Sequence, residues 1–174
     1  SNVEALCAIC TAGSTGAVTI TNSGTIETIG DDRPAIYTND ETASTIINSG
    51  TISGHGTAKD ILVADDASGT ATTTIKISGE GSFNNGIELN DTTVQLVLEP
   101  DIKRDTTVTI YNKDNLTIVN NLTGNDTYSI TSENLDSGEG DTTLGDGVLT
   151  IHGEDLEIAQ DNPKYRSENV LTKL

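Results

Sequence analysis

Cys7 and Cys10 are the residues whose type and spacing most directly suggest chemistry. The Cys-x-x-Cys spacing occurs in redox-active sites, in half of a zinc site and in small disulfide loops. A redox site would lie at a strand-to-helix junction, and no such pattern surrounds this pair. A zinc site would need two more ligands, and the only histidines, His55 and His152, lie far along the sequence. We therefore predict a local disulfide in an oxidising compartment, with reduced or intermolecular cysteines as the alternatives.

A second candidate for chemistry is the glycine- and aspartate-rich segment from Gly138 to Gly147. It resembles the calcium-binding repeat of secreted β-rolls, in which carboxylates and loop carbonyls coordinate the ion between turns. The match is imperfect, because the spacing is one residue short and the segment has no second copy. Asp141 and Asp146 are the candidate calcium ligands, and an acidic surface turn is the alternative. No other cofactor is expected.

Catalysis would need groups that converge from neighbouring strands, such as two or three carboxylates for glycoside hydrolysis. Basic partners are scarce, since the 174 residues include only 9 lysines and arginines. His55 and His152 lie in glycine-flanked, turn-like sequence without the arrangement of a nucleophile and a base. We therefore predict no catalytic residue and keep a polysaccharide-active enzyme as the alternative from a different class.

The elements that must position these residues follow a repeat. The sequence Asn-Ser-Gly-Thr-Ile occurs at residues 22–26 and again at 48–52, 26 residues apart. A second apolar marker advances in step, because Ile36, Ile61 and Ile87 are separated by 25 and 26 residues. A fixed period of this length indicates coils that stack on one another. Short β-branched runs without an amphipathic helical stripe favour strands, so we predict an all-β solenoid with about 6–7 short coils.

The repeated positions are expected to face inward or to stack between coils. The isoleucines beside each Asn-Ser-Gly-Thr element should face the interior, and Phe83 should take the equivalent place in the third coil. The asparagines should lie above one another and form a side-chain amide ladder. The predicted stacking residues are Asn22, Asn48, Ile26, Ile52, Ile36, Ile61 and Ile87.

The chain divides into three segments on this pattern. Residues 1–16 lack the repeat and are expected to cap or dock onto the first coil, residues 17–160 to form the solenoid, and residues 161–174 to form a cap or tail. Beyond residue 93 the period is looser, but short strands continue to residues 156–158. Because their spacing of about ten residues also suits an antiparallel arrangement, a β-sandwich is the alternative for the C-terminal half.

Charge and composition exclude several partners. The 27 acidic and 9 basic residues give a net charge of −18, which disfavours nucleic acid and anionic lipid. No run of about 18 apolar residues is present, so we predict no membrane insertion by this segment. Methionine is absent, even at position 1, which we interpret as the loss of a leader peptide during export.

The repeats with their following Ala-Ile-Tyr and Asp-Ile-Leu elements, over residues 17–93, resemble passenger domains of bacterial autotransporters and related secreted adhesins. The resemblance implies a right-handed parallel β-helix, export to the bacterial surface, and a stalk or adhesive role. No catalytic residue carries over, because the matched positions are structural. Paired cysteines are a departure from such passengers.

The expected function is therefore that of a non-enzymatic, secreted or cell-surface β-solenoid with a structural or adhesive role. Open sheet edges at its ends favour end-to-end association, head to tail, into a filament or array. An autotransporter passenger fragment that binds a glycan or a protein is the near alternative.

Overall fold

A computed structural model describes residues 7–11, 16–30, 32–39, 43–64, 70–90, 93–113, 116–133 and 146–153. Within these ranges the chain is all-β with almost no helix, as predicted. The strands are β1 (Ile9–Cys10), β2 (Val18–Asn22), β3 (Thr25–Glu27), β4 (Ile36–Asn39), β5 (Ser44–Asn48), β6 (Thr51–Ser53), β7 (Ile61–Ala64), β8 (Thr73–Ile77), β9 (Ser82–Phe83), β10 (Ile87–Leu89), β11 (Val94–Leu98), β12 (Thr107–Tyr111), β13 (Leu116–Asn120), β14 (Thr127–Glu133) and β15 (Asp146–His152).

The strands stack into a β-solenoid of about four turns. Sheet A has the order β1-β4-β7-β10-β12-β15-β14, sheet B the order β13-β11-β8-β5-β2, and sheet C the order β3-β6-β9. Each of the first three coils contributes one strand to each sheet, and the fourth contributes β11 and β12 only. The predicted count of about 6–7 coils is therefore too high, because the later strands do not all begin new turns.

The sequence period becomes the register of the parallel sheets. Ile36 pairs with Ile61, and Ile61 pairs with Ile87, so each isoleucine lies directly over the previous one. All three side chains are buried. In sheet C, Ile26 pairs with Ile52 and Ile52 with Phe83. The core is consequently a set of narrow apolar columns, each filled by one side chain per coil.

The C-terminal part of the described chain changes strand direction. β13 still pairs in parallel with β11, but β15 pairs antiparallel with β12, and β14 antiparallel with β15. The hairpin extends sheet A, and it does not form a separate sandwich within the described ranges. Alternation of inward residues such as Leu149 and Ile151 suits either strand direction, so the sequence pattern did not reveal the reversal.

Residues 7–11 lie on the first coil. β1 pairs in parallel with β4, with Ile9 opposite Ile36. The hydroxyl groups of Thr11 and Ser44 are hydrogen-bonded at 3.1 Å, which connects this segment to sheet B. Cys7, in the same segment, is buried.

Truncation of an inward-facing residue in one of these columns should strongly lower the free energy of unfolding. Ile52→Ala, at a fully buried site, should lower the free energy of unfolding by about 2–5 kcal/mol. Ile29→Ala is the matched control, because Ile29 is 89% exposed and its truncation should change stability by less than about 0.5 kcal/mol. Urea unfolding of both variants checks this, and equal losses would contradict the column arrangement.

Candidate functional site

The two repeated asparagines form a buried ladder between the first and second coils. Asn22 donates from Nδ2 to Oδ1 of Asn48 at 2.9 Å. The Oδ1 atom of Asn22 also accepts the backbone N–H of Gly24 at 3.1 Å, and that of Asn48 accepts the N–H of Gly50 at 3.2 Å. Each side chain therefore shapes the bend that follows its own strand and bonds to the neighbouring coil.

The ladder changes character in the later coils. Asn48 is opposite Ile77 in the third coil, so it has no asparagine above it. Its Nδ2 still donates to the carbonyl of Ser82 at 3.3 Å, just as that of Asn22 donates to the carbonyl of Thr51 at 2.9 Å. The same bend returns at Asn120, whose Oδ1 accepts the N–H of Leu122 at 2.9 Å. Asn120 is not among the stacking residues predicted from the sequence, although its place at the end of a Leu-Thr-Ile-Val-Asn strand was a usable signal.

Asp60 is the buried carboxylate that the sequence analysis missed. Its side chain is fully buried, and Oδ1 accepts the N–H of Gly54 at 2.7 Å. Oδ2 accepts two N–H groups of the next coil, those of Asn85 and Gly86, both at 2.7 Å. Burial raises the pKa of Asp60 above its usual value, and the backbone donors oppose that rise. A carboxylate directly before the inward Ile61, where the first coil has an alanine, was the available signal.

Other polar side chains also bind the neighbouring coil's turns. Asn85 donates from Nδ2 to the carbonyl groups of Gly54, Gly56 and Ala58 at 3.0–3.3 Å. Side chains of one coil therefore bind backbone groups in the loop of a neighbouring coil.

A shallow lateral cleft of about 410 Å³ lies beside this loop. The ammonium group of Lys59 sits 3.4 Å from the centroid of the Tyr111 ring, a cation–π contact. Hydroxyl and amide groups make up much of the remaining wall, so the cleft suits a ligand rich in hydroxyl groups. It is lined by Gly56, Thr57, Lys59, Asn84, Asn85, Thr109 and Tyr111.

A second cleft, of about 570 Å³, lies between β9 and residues 103–107. The Nζ atom of Lys103 is 2.7 Å from the Glu80 carboxylate, which raises the pKa of Lys103. Arg104 pairs with Asp126 at 3.0 Å. Both cationic side chains at this cleft are thus engaged with acidic groups of the same chain.

Of the two predicted calcium ligands, Asp146 alone lies within the described residues. Asp146 is buried, and its Oδ1 accepts the backbone N–H of Asn112 at 3.1 Å. Asp141 lies outside the described residues. Among the residues that are described, no group of three or more His, Cys, Asp or Glu side chains could hold a metal ion. Calcium binding by this pair stays a prediction.

The remaining candidates are placed as follows. A disulfide joins Cys7 to Cys10. The Nε2 atom of His152 lies 2.7 Å from the Oγ atom of Ser129 on the adjacent strand. A hydroxyl and an imidazole at this distance have the spacing of a nucleophile and its base, and the sequence separation of 23 residues concealed the contact. The pair is solvent-accessible on the outer side of the hairpin.

Comparison of the chain with protein-family models, curated proteins and solved structures found no match. The pairing register of the strands shows that the fold is a β-solenoid. In the ranges described above, no helix has the length and apolar character needed to cross a membrane.

Removal of the ladder amide should destabilise the fold strongly. Asn48→Ala deletes a fully buried group that bonds to Asn22, Gly50 and Ser82, and it should lower the free energy of unfolding by about 2–4 kcal/mol. The control is Asn84→Ala, which removes one bond to the Ser53 hydroxyl at an exposed position and should cost below about 1 kcal/mol. Chemical denaturation measures both, and a similar cost for the two variants would argue against the ladder.

Asp60 should make stability depend on pH in the acid range. Because its pKa is raised in the folded state, the folded chain binds more protons than the unfolded chain above pH 3.8. The stability that Asp60 contributes is therefore fully present below pH 3.8, and it is lost as the pH rises through the pKa that Asp60 has in the folded state. Asp60→Asn should remove this dependence of stability on pH. It should also lower the stability, because the amide cannot accept all the backbone N–H groups that the carboxyl group accepts. Urea unfolding from pH 3 to pH 7 measures the difference, and parallel curves for the two proteins would refute it.

Proposed function

We propose that this chain is a non-enzymatic structural and adhesive β-solenoid of the bacterial cell surface. The observation that carries the proposal is the use of the buried polar side chains. Asn22, Asn48 and Asp60 spend their hydrogen bonds on backbone groups and one another, between successive coils. Groups engaged in this way hold coils together and have little capacity left for a substrate.

The thin core explains why a structural protein needs these bonds. With one Phe, four Tyr and no Trp, each coil buries few large side chains. A buried, satisfied hydrogen bond adds about 0.5–1.5 kcal/mol, and more where a charged group accepts it. Repeated in successive coils, such bonds stiffen a solenoid whose apolar columns are narrow.

The cell-surface location is supported by two features. The Cys7–Cys10 disulfide suits an oxidising, extracytoplasmic compartment. The net charge of −18 keeps such a chain soluble and disfavours nucleic acid as a partner. The resemblance of residues 17–93 to autotransporter passengers adds the finer assignment of an exported passenger-type module.

The adhesive part of the proposal rests on the lateral cleft. Tyr111 supplies an aromatic ring, and the hydroxyl groups of Thr57 and Thr109 supply hydrogen-bonding partners around it. This combination of one apolar surface with several fixed polar groups is common in ligand sites. A glycan is the ligand class that matches these groups.

Glycan-array binding tests the adhesive role. The wild-type protein should bind a subset of glycans, and Tyr111→Ala should weaken that binding at least about tenfold, because the ring forms a wall of the cleft. Tyr37→Ala is the matched control, since Tyr37 occupies the same outer column of sheet A but does not line the cleft. Absence of binding by the wild type would refute the adhesive role.

The enzyme alternative is favoured by one observation, the Ser129–His152 pair. A fluorophosphonate probe separates it from the proposal, because the probe phosphonylates only serines activated as nucleophiles, with loss of fluoride. We expect no labelling of the wild type. Labelling that disappears in Ser129→Ala, or release of new reducing ends from a bound polysaccharide, would overturn the non-enzymatic assignment.

A further inference from the structure

The two ends of sheet A differ in the length of the edge that they present. At one end lies β1, which has two residues, and at the other lies β14, which has seven. In the part of the chain that is described, no strand lies beyond β14. A long edge strand is a template for pairing with another chain.

The hydrogen bonds of β15 determine which backbone groups of β14 face outward. Ile151 donates its N–H to the carbonyl of Thr106 and accepts the N–H of Asp105, both at 3.0 Å, so both its groups point toward β12. In an antiparallel pair, residues opposite such a position do not bond to it. Tyr128 is opposite Ile151, and by alternation Ile130 and Ser132 share its orientation. These three residues direct their N–H and C=O groups away from β15.

Most of the same edge is uncharged. Residues 127–132 read Thr-Tyr-Ser-Ile-Thr-Ser and contain no Asp, Glu, Lys or Arg, and the charged residue of β14 is Glu133 at its end. Natural edge strands are commonly protected by lysine, proline or a bulge, and this stretch has no lysine or proline. Because each copy of the chain carries a net charge of −18, two copies can approach with less repulsion along this largely uncharged edge.

We infer that β14 pairs antiparallel with the β14 strand of a second copy, which joins two solenoids tail to tail. This inference rests on the proposed structural function and names its partner. A two-fold axis at Ile130 places Tyr128 opposite the partner subunit's Ser132, so that all three outward residues form hydrogen-bonded pairs. Sheet A then continues from one copy into the other.

The length of the edges decides the orientation of the two copies. Head-to-tail stacking through sheet A would pair β14 with β1, over two residues at most, whereas tail-to-tail pairing uses the seven residues of β14. Within the described ranges, the β14–β15 hairpin also extends sheet A two strands beyond β12, while sheet B has only β13 beyond β11. A symmetric contact between identical strands closes on itself, so the product is a dimer and not a filament.

Charge substitutions at Thr131 test the interface, because this exposed residue is next to the two-fold axis. In the dimer its two copies are diagonal neighbours, about 7–8 Å apart. We expect a wild-type dimer in sedimentation velocity and a weakening of at least about tenfold in Thr131→Lys and in Thr131→Glu. A mixture of these two variants should recover the dimer as a heterodimer, because the opposed charges then attract. Thr19→Lys, at an exposed strand position of β2, is the control and should leave the dimer unchanged.

Several outcomes would overturn the inference. These are a wild-type monomer at all concentrations, a filament, equal weakening by Thr19→Lys, or no recovery in the mixture. Glycan binding by the Thr131 variants separates this inference from the proposed function. Loss of the dimer with retained binding supports both, whereas a dimer without glycan binding refutes only the adhesive role.

Discussion

The parallel register between coils is the constraint on which the rest of this molecule depends. From β2 to β12, each strand is paired with its equivalent one turn away, so side chains such as Ile36, Ile61 and Ile87 lie directly over one another. A shift by one residue would turn every inward side chain of a strand to the outer face. The apolar columns, the asparagine ladder and the cradle around Asp60 all require that register. Each of them also strengthens it, because it joins specific residues of consecutive coils.

The buried polar groups show how a solenoid with small apolar columns can still be specific. Asp60 connects the turn of its own coil at Gly54 to the turn of the next coil at Gly86. An apolar side chain in the same place would leave three backbone N–H groups without an acceptor, at a cost of about 1–3 kcal/mol each. Polar contacts of this kind select one register among those that would bury a similar apolar area. A rigid, polar-bonded stack of this sort suits a protein that serves as a scaffold at a cell surface.

Strands at the ends of the solenoid differ from those in its middle in the number of strands that they pair with. Among the described residues, strands inside the stack have two neighbours, but the first and last strands of each sheet have one. Sheet C ends at β9 and β3, which are very short, while sheet A ends in the long β14. Short edges limit unwanted pairing, and a long, largely uncharged edge invites it. In the described part of the chain, the reversed hairpin therefore supplies the surface through which two copies are proposed to meet.

The sequence by itself determined the all-β class, the coil period and the identity of the stacked residues over residues 17–93. It could do so because a strict period places equivalent residues in equivalent environments, as with Asn22 over Asn48 and Ile52 over Phe83. The number of turns and the reversal at β15 were decided only in the tertiary structure, because alternation of inward residues is the same for both strand directions. The contacts of Asp60 with Asn85 and Gly86, and that of Ser129 with His152, also arise only on folding, since each joins residues more than twenty positions apart through the register of neighbouring strands.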